Sequence, residues 1–157
     1  MFIENNLYQQ IRNVMPIPCV DLIVVNNGGD VLLAKRTNEP AKDEWWFPGG
    51  RVHYLETRLG AAIRKLREEC GLETGPLFEL ATYDVIVERS DNGVKSHAIT
   101  TLYYTKVSLQ QEFMLDFQSS MAEWHSPLEW LKLDLNPFIQ IGLNTYINYK
   151  GEKESRS

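Results

Sequence analysis

Glu68 and Glu69 are adjacent carboxylates in a stretch patterned as a helix, and a Pro48-Gly49-Gly50 turn lies shortly upstream of them. Two neighbouring carboxylates facing the free backbone carbonyls of a glycine turn suit a hard divalent cation. Magnesium takes one or two carboxylates and keeps its other positions for water and phosphate oxygens. The competing reading is a solvated helix face, with Arg64–Glu68 and Lys65–Glu69 as i,i+4 pairs worth about a few tenths of a kcal/mol each. Lys35 and Arg36 end an upstream strand pattern and point toward the same turn. An arginine there offers a fork matched to phosphate oxygens, although surface cations flanking a loop would look the same.

The elements that position these groups are legible from periodicity. A helical turn of about 100° per residue puts Ala62, Ile63, Leu66 and Cys70 within about 60° of Leu59, one apolar stripe. Thr57 is placed to cap the start, and Gly71 to end the helix in a left-handed conformation. Pro18–Val25 reads as a buried strand, Asn26–Asp30 as a turn and Val31–Arg36 as a second strand, together a hairpin. Asp21 interrupts the first of these, and a carboxylate in an apolar run needs a partner. It is either an ordinary hydrogen-bonded charge or a group held at a pocket wall to contact substrate. Leu77–Glu88 and His97–Val107 read as long strands joined by a Ser90-Asp91-Asn92-Gly93 turn. Glu4–Val14 is patterned as a short helix that needs a surface to lie on. Pro137–Tyr149 is a closing helix, with Asn136 as its cap and proline at the first position.

The 157 residues fit one domain over residues 1–149, and Lys150–Ser157 reads as a disordered tail. A net charge of −5 argues against a nucleic-acid surface while leaving room for a local basic pocket. Cys19 and Cys70 make no metal or redox spacing, which points to free buried thiols and a reducing, cytoplasmic setting. No signal peptide and no run long enough to span a bilayer is present.

The helix and its turn resemble the Nudix box, G-x5-E-x7-R-E-U-x-E-E-x-G-U, where U is aliphatic. The matching residues are Gly50, Glu56, Arg64, Leu66, Glu68, Glu69, Gly71 and Leu72, with Lys65 standing where the family has a glutamate. The resemblance implies the Nudix α/β/α sandwich, with a mixed β-sheet between helices. It also implies hydrolysis of a nucleoside diphosphate linked to another group, using Mg2+ (or Mn2+). Glu69, the Gly49 carbonyl and Glu68 are then the expected metal ligands, with fewer ions than usual because an ammonium at Lys65 opposes cation binding.

The segment KRTNEPA (residues 35–41) and the later PGGRV (residues 48–52) resemble the GDP-mannose mannosyl hydrolase branch of that family. On that resemblance Arg36 and Arg51 bind the leaving diphosphate, joined by Lys35, and Asp21 and Tyr103 contact substrate in catalytic positions. His125, five residues before Trp130, matches the catalytic histidine and would be the general base. Trp124 departs from the pattern, because the branch has a metal-binding glutamine there. The branch also implies a homodimer in which the N-terminal segment crosses to the partner. Trp45 and Trp46 are candidates for base stacking or for loop anchoring. The leading expectation is hydrolysis of a GDP-hexose to GDP and free sugar by water attack at the anomeric carbon. Attack at phosphorus, giving a nucleoside monophosphate, is the alternative. A nucleotide-sugar binding domain without turnover is a third.

Overall fold

The computed structural model describes residues 2–72, 75–89, 92–108 and 121–157. Ser90 and Asp91 of the expected turn lie outside them. The elements in chain order are α1 (Asn5–Val14), β1 (Ile17–Val25), β2 (Val31–Lys35), β3 (Trp45–Trp46) and β4 (Gly49–Arg51). Then follow α2 (Arg58–Cys70), β5 (Phe78–Glu88), β6 (Lys95–Lys106), β7 (Ala122–His125), α3 (Pro127–Trp130) and α4 (Pro137–Ser155).

One mixed sheet runs β3-β2-β1-β6-β5, with β4 also pairing β1 and β7 pairing β2. β1 and β6 are parallel, from Ile17↔Ala98 to Val25↔Lys106, and the other ladders are antiparallel. Because side chains alternate across a strand, β1 feeds two cores. Val20, Leu22 and Val24 pack against Ala61, Ala62, Leu66 and Cys70 of α2. Ile23 and Val25 face the other way, toward Ile139, Leu143 and Tyr146 of α4 and the indole of Trp130. Helices therefore cover both faces, the α/β/α sandwich expected from the sequence.

α2 begins and ends as its capping residues require. The Thr57 side chain accepts the Gly60 N–H, and Gly71 sits at φ 63°, in the left-handed region. The buried stripe is turned slightly from the periodicity reading: Ala61 is buried, whereas Leu59 is exposed. In α4 the Asn136 side chain caps Phe138 N–H. The helix runs on to Ser155, so the tail expected to be disordered is helical instead. Its polar residues bond within the helix, as in the Lys150–Glu154 pair, which the low apolar content of the segment could not reveal.

Candidate functional site

The site grows from the place where β4 meets the C-terminal half of α2. Gly49 pairs with Asp21 of β1. A β-carbon at Gly49 would collide with the Val20 carbonyl and the Asp21 side chain, so only glycine fits. The Gly49 N–H donates to Glu69 Oε2 at 3.1 Å, which ties the turn to the helix. Earlier on α2, Arg64 clamps Glu56 at 2.7 Å and donates to the Arg51 carbonyl at 2.9 Å. That clamp holds the Glu56 carboxyl down to about 2, because the guanidinium hydrogen-bonds its charged form.

Two cavities flank this junction and share Arg36, Trp46, Gly49 and Gly50. The first, of about 230 Å³, lies between Asp21, Arg51 and α1, whose Tyr8 and Arg12 form part of its wall. The second, of about 630 Å³, is walled by Lys35, Arg36, Lys65, Glu68 and Glu69. Arg36 donates from Nε to the Pro40 carbonyl at 2.6 Å and lies 6.0 Å from the centre of the Trp46 ring. Lys35 lies over Trp45 at 5.5 Å. Both tryptophans thus flank the cations that wall the groove. Asp21 is buried, and burial pushes its carboxyl up to about 7. The Arg36 charge and a hydrogen bond donated by the Trp46 indole pull the other way, and the nearby Glu69 adds a small upward push.

The structure brings Asp21, Lys35, Arg36, Gly49, Arg51, Glu68 and Glu69 to this junction. It does not bring His125 or Tyr103. His125 is the register partner of Val31, itself opposite Val25, four residues along β1 from the Asp21–Gly49 pair. At about 3.3 Å per residue that is roughly 13 Å along the strand. There its Nε2 lies 2.7 Å from Glu123 Oε2. Tyr103 is 4% exposed, packed in the α2-side core, and its hydroxyl bonds Glu79. Alternation along β6 turns it away from the first cavity, which lies on the opposite face, as the buried aromatic it most resembles by pattern.

The corner expected to hold magnesium contains an ammonium. Lys65 Nζ lies 2.6 Å from Glu69 Oε1 and 3.6 Å from Glu68 Oε2, while Glu68 also meets Arg64 at 3.3 Å. Among the described residues no three His, Cys, Asp or Glu side chains gather around a common point. As arranged, these donors do not fit a divalent ion, because its place beside Glu69 is taken by a fixed positive charge. Spacing placed Lys65 in the box but not its ammonium. The lining by Tyr8 and Arg12 was also missed, since the only signal was the amphipathic α1 and its Tyr8–Arg12 i,i+4 pair.

The family model for the NUDIX domain matches residues 15–142. The low-salt glycan biosynthesis protein Agl8 of Haloferax volcanii is 34% identical over 128 residues, 80% of either chain. The ADPR responsive transcriptional repressor NtrR of Acinetobacter baylyi is 28% identical over 133 residues, 82% of this chain but only 52% of the repressor. The NUDIX domain of Shewanella oneidensis NrtR, complexed with ADP ribose, superposes with a TM-score of 0.70 at 18% identity, covering 94% of this chain and 99% of that one. The glycine turn, the Arg64–Glu56 clamp and a sheet covered on both faces agree with this match, and the chain belongs to the Nudix family.

Proposed function

We propose that the chain hydrolyses a nucleoside diphosphate sugar of the GDP-hexose kind, releasing the nucleoside diphosphate and the free sugar. The observation that carries this reading is the pair of adjacent cavities, whose shared wall holds Arg36 and the glycine turn. A diphosphate lies along the turn among Lys35, Arg36 and Lys65, and the first cavity, with Arg51, takes one of the groups attached to it. Names of relatives support the class: one is named for glycan biosynthesis, another for responding to ADPR.

A diphosphate leaves readily once its charge is neutralised, so the cations of the groove supply what the bond to the anomeric carbon needs. Water attacking that carbon must lose a proton. With His125 away from the junction, Asp21 is the acceptor this reading uses, because it borders the first cavity beside Gly49. A single displacement inverts the anomeric centre.

A second reading, binding without turnover, is favoured by one observation: Lys65 pairs with the very carboxylate that a box-type metal site would use. Incubating GDP-mannose with the protein in 18O-water separates these readings. Labelled mannose with unlabelled GDP is the expected outcome. Labelled GMP or hexose phosphate would move the attack to phosphorus, and tight binding with no product would leave a sensor.

A further inference from the structure

We infer that the Lys65 ammonium is a built-in cation that receives the diphosphate where other box sequences employ a metal ion, so that binding needs no divalent cation. The inference rests on the reading of the second cavity as the diphosphate groove.

Three placements support it. Lys65 is one turn before Glu69 on α2, and its Nζ bonds the same carboxylate that accepts the Gly49 N–H. The ammonium is thereby fixed to the glycine turn through a single shared side chain. Its stem lies across the turn: the Cε atom is 2.9 Å from where a β-carbon of Gly50 would stand, so Gly50 leaves room for it. Only 17% of the side chain is exposed, and the residue borders the groove with Lys35 and Arg36.

Charge balance points the same way. The groove wall holds three cations, Lys35, Arg36 and Lys65, against two carboxylates, Glu68 and Glu69. Exchanging a glutamate for a lysine raises the local charge by two, the charge that one divalent ion would bring. A metal added beside Lys65 would meet repulsion from a fixed neighbour, whereas a diphosphate meets attraction. An ammonium is a point charge with three donors, able to keep Glu69 and still reach a phosphoryl oxygen.

The test is calorimetric titration of the full chain with GDP and with inorganic pyrophosphate, in EDTA and again in magnesium. Wild type should bind in EDTA, with affinity changed less than about threefold by magnesium. Lys65→Met should lose tenfold or more in EDTA. Lys65→Glu should lose at least as much and recover with magnesium or manganese, with bound Mn2+ seen by electron paramagnetic resonance. Thermal melts of both variants check that they remain folded, and Lys65→Arg should retain most of the EDTA binding. Wild-type binding that requires magnesium, or Lys65→Met binding undiminished in EDTA, would overturn the role of Lys65 and leave the groove reading intact. Failure of both probes to bind under either condition would overturn the groove reading as well.

Discussion

The His125 ring stands edge-on against Trp130, with centroids 4.7 Å apart and planes at 89°. The indole is fully buried, and its N–H donates to the Val31 carbonyl at 2.8 Å. Val31 is also the residue opposite His125 in the β2–β7 ladder. One aromatic pair therefore fastens β7 and α3 to the end of β2 farthest from the glycine turn. The histidine is part of that fastening.

Replacing His125 by Ala should consequently lower turnover of GDP-mannose by less than about tenfold, since positioned general bases contribute on the order of 10²–10⁴. A loss of a hundredfold or more, with unchanged thermal stability, would return His125 to the reaction.

Trp130→Phe keeps an aromatic ring but deletes the donor to Val31. A buried carbonyl left without its partner costs about 1–3 kcal/mol. Urea denaturation should show a loss in that range with little change in the slope, and no measurable loss would show that the carbonyl finds another donor.

Gly49→Ala should destabilise the fold by about 1–3 kcal/mol and abolish pyrophosphate binding, because the new methyl meets backbone at Val20 rather than a movable side-chain end. Gly151→Ala is the contrast: nothing lies within 4 Å of a β-carbon there, in a helix. It should stabilise by up to about 1 kcal/mol. Equal effects of the two in denaturant titrations would remove the steric argument.

Asp21 makes stability depend on pH in a defined direction. Its folded-state pKa, about 7, lies above the ordinary 3.8. Below that lower value both states hold the proton, and nothing changes. Between the two the unfolded chain has released it and the folded chain keeps it, so stability falls as pH rises, by up to about 1.4 kcal/mol per unit. Above about 7 the fall ends. Glu56, held near 2, loses its stabilising charge only at pH below the ordinary 4.5, and so acts mainly beneath this window. Thermal melts of Asp21→Asn from about pH 4.5 to 7 should therefore decline less than those of wild type. Parallel profiles would show that the carboxyl is ionised throughout.

The strands around the site were legible because each carries a dense apolar run bounded by turn residues. β1, β2 and the β5–β6 pair fall within two residues of their sequence boundaries. α2 was legible through its caps, and the box spacing located Gly49 and Glu69. Lys65 is visible in the sequence as a departure, but where its ammonium settles depends on Glu69 bridging helix and turn, a tertiary fact. The position of His125 depends on something else. The five-residue spacing to Trp130 is visible in the sequence, yet the register of β7 on β2 decides which end of the sheet His125 occupies. No local pattern in AEWHSP states that register. Asp21 is incongruous in an apolar run, and the structure places it at the cavity wall.

β1 is paired along its whole length with β6, and Ile17 waits for Ala98. During synthesis a ribosome must therefore deliver the chain through Lys106 before this innermost strand is flanked on both sides. Until then Leu22, Ile23 and Val24 have no parallel neighbour, and closure of so distant a contact is slow. A nascent chain arrested shortly before β6 should be the species most prone to clump and most dependent on a chaperone's shelter.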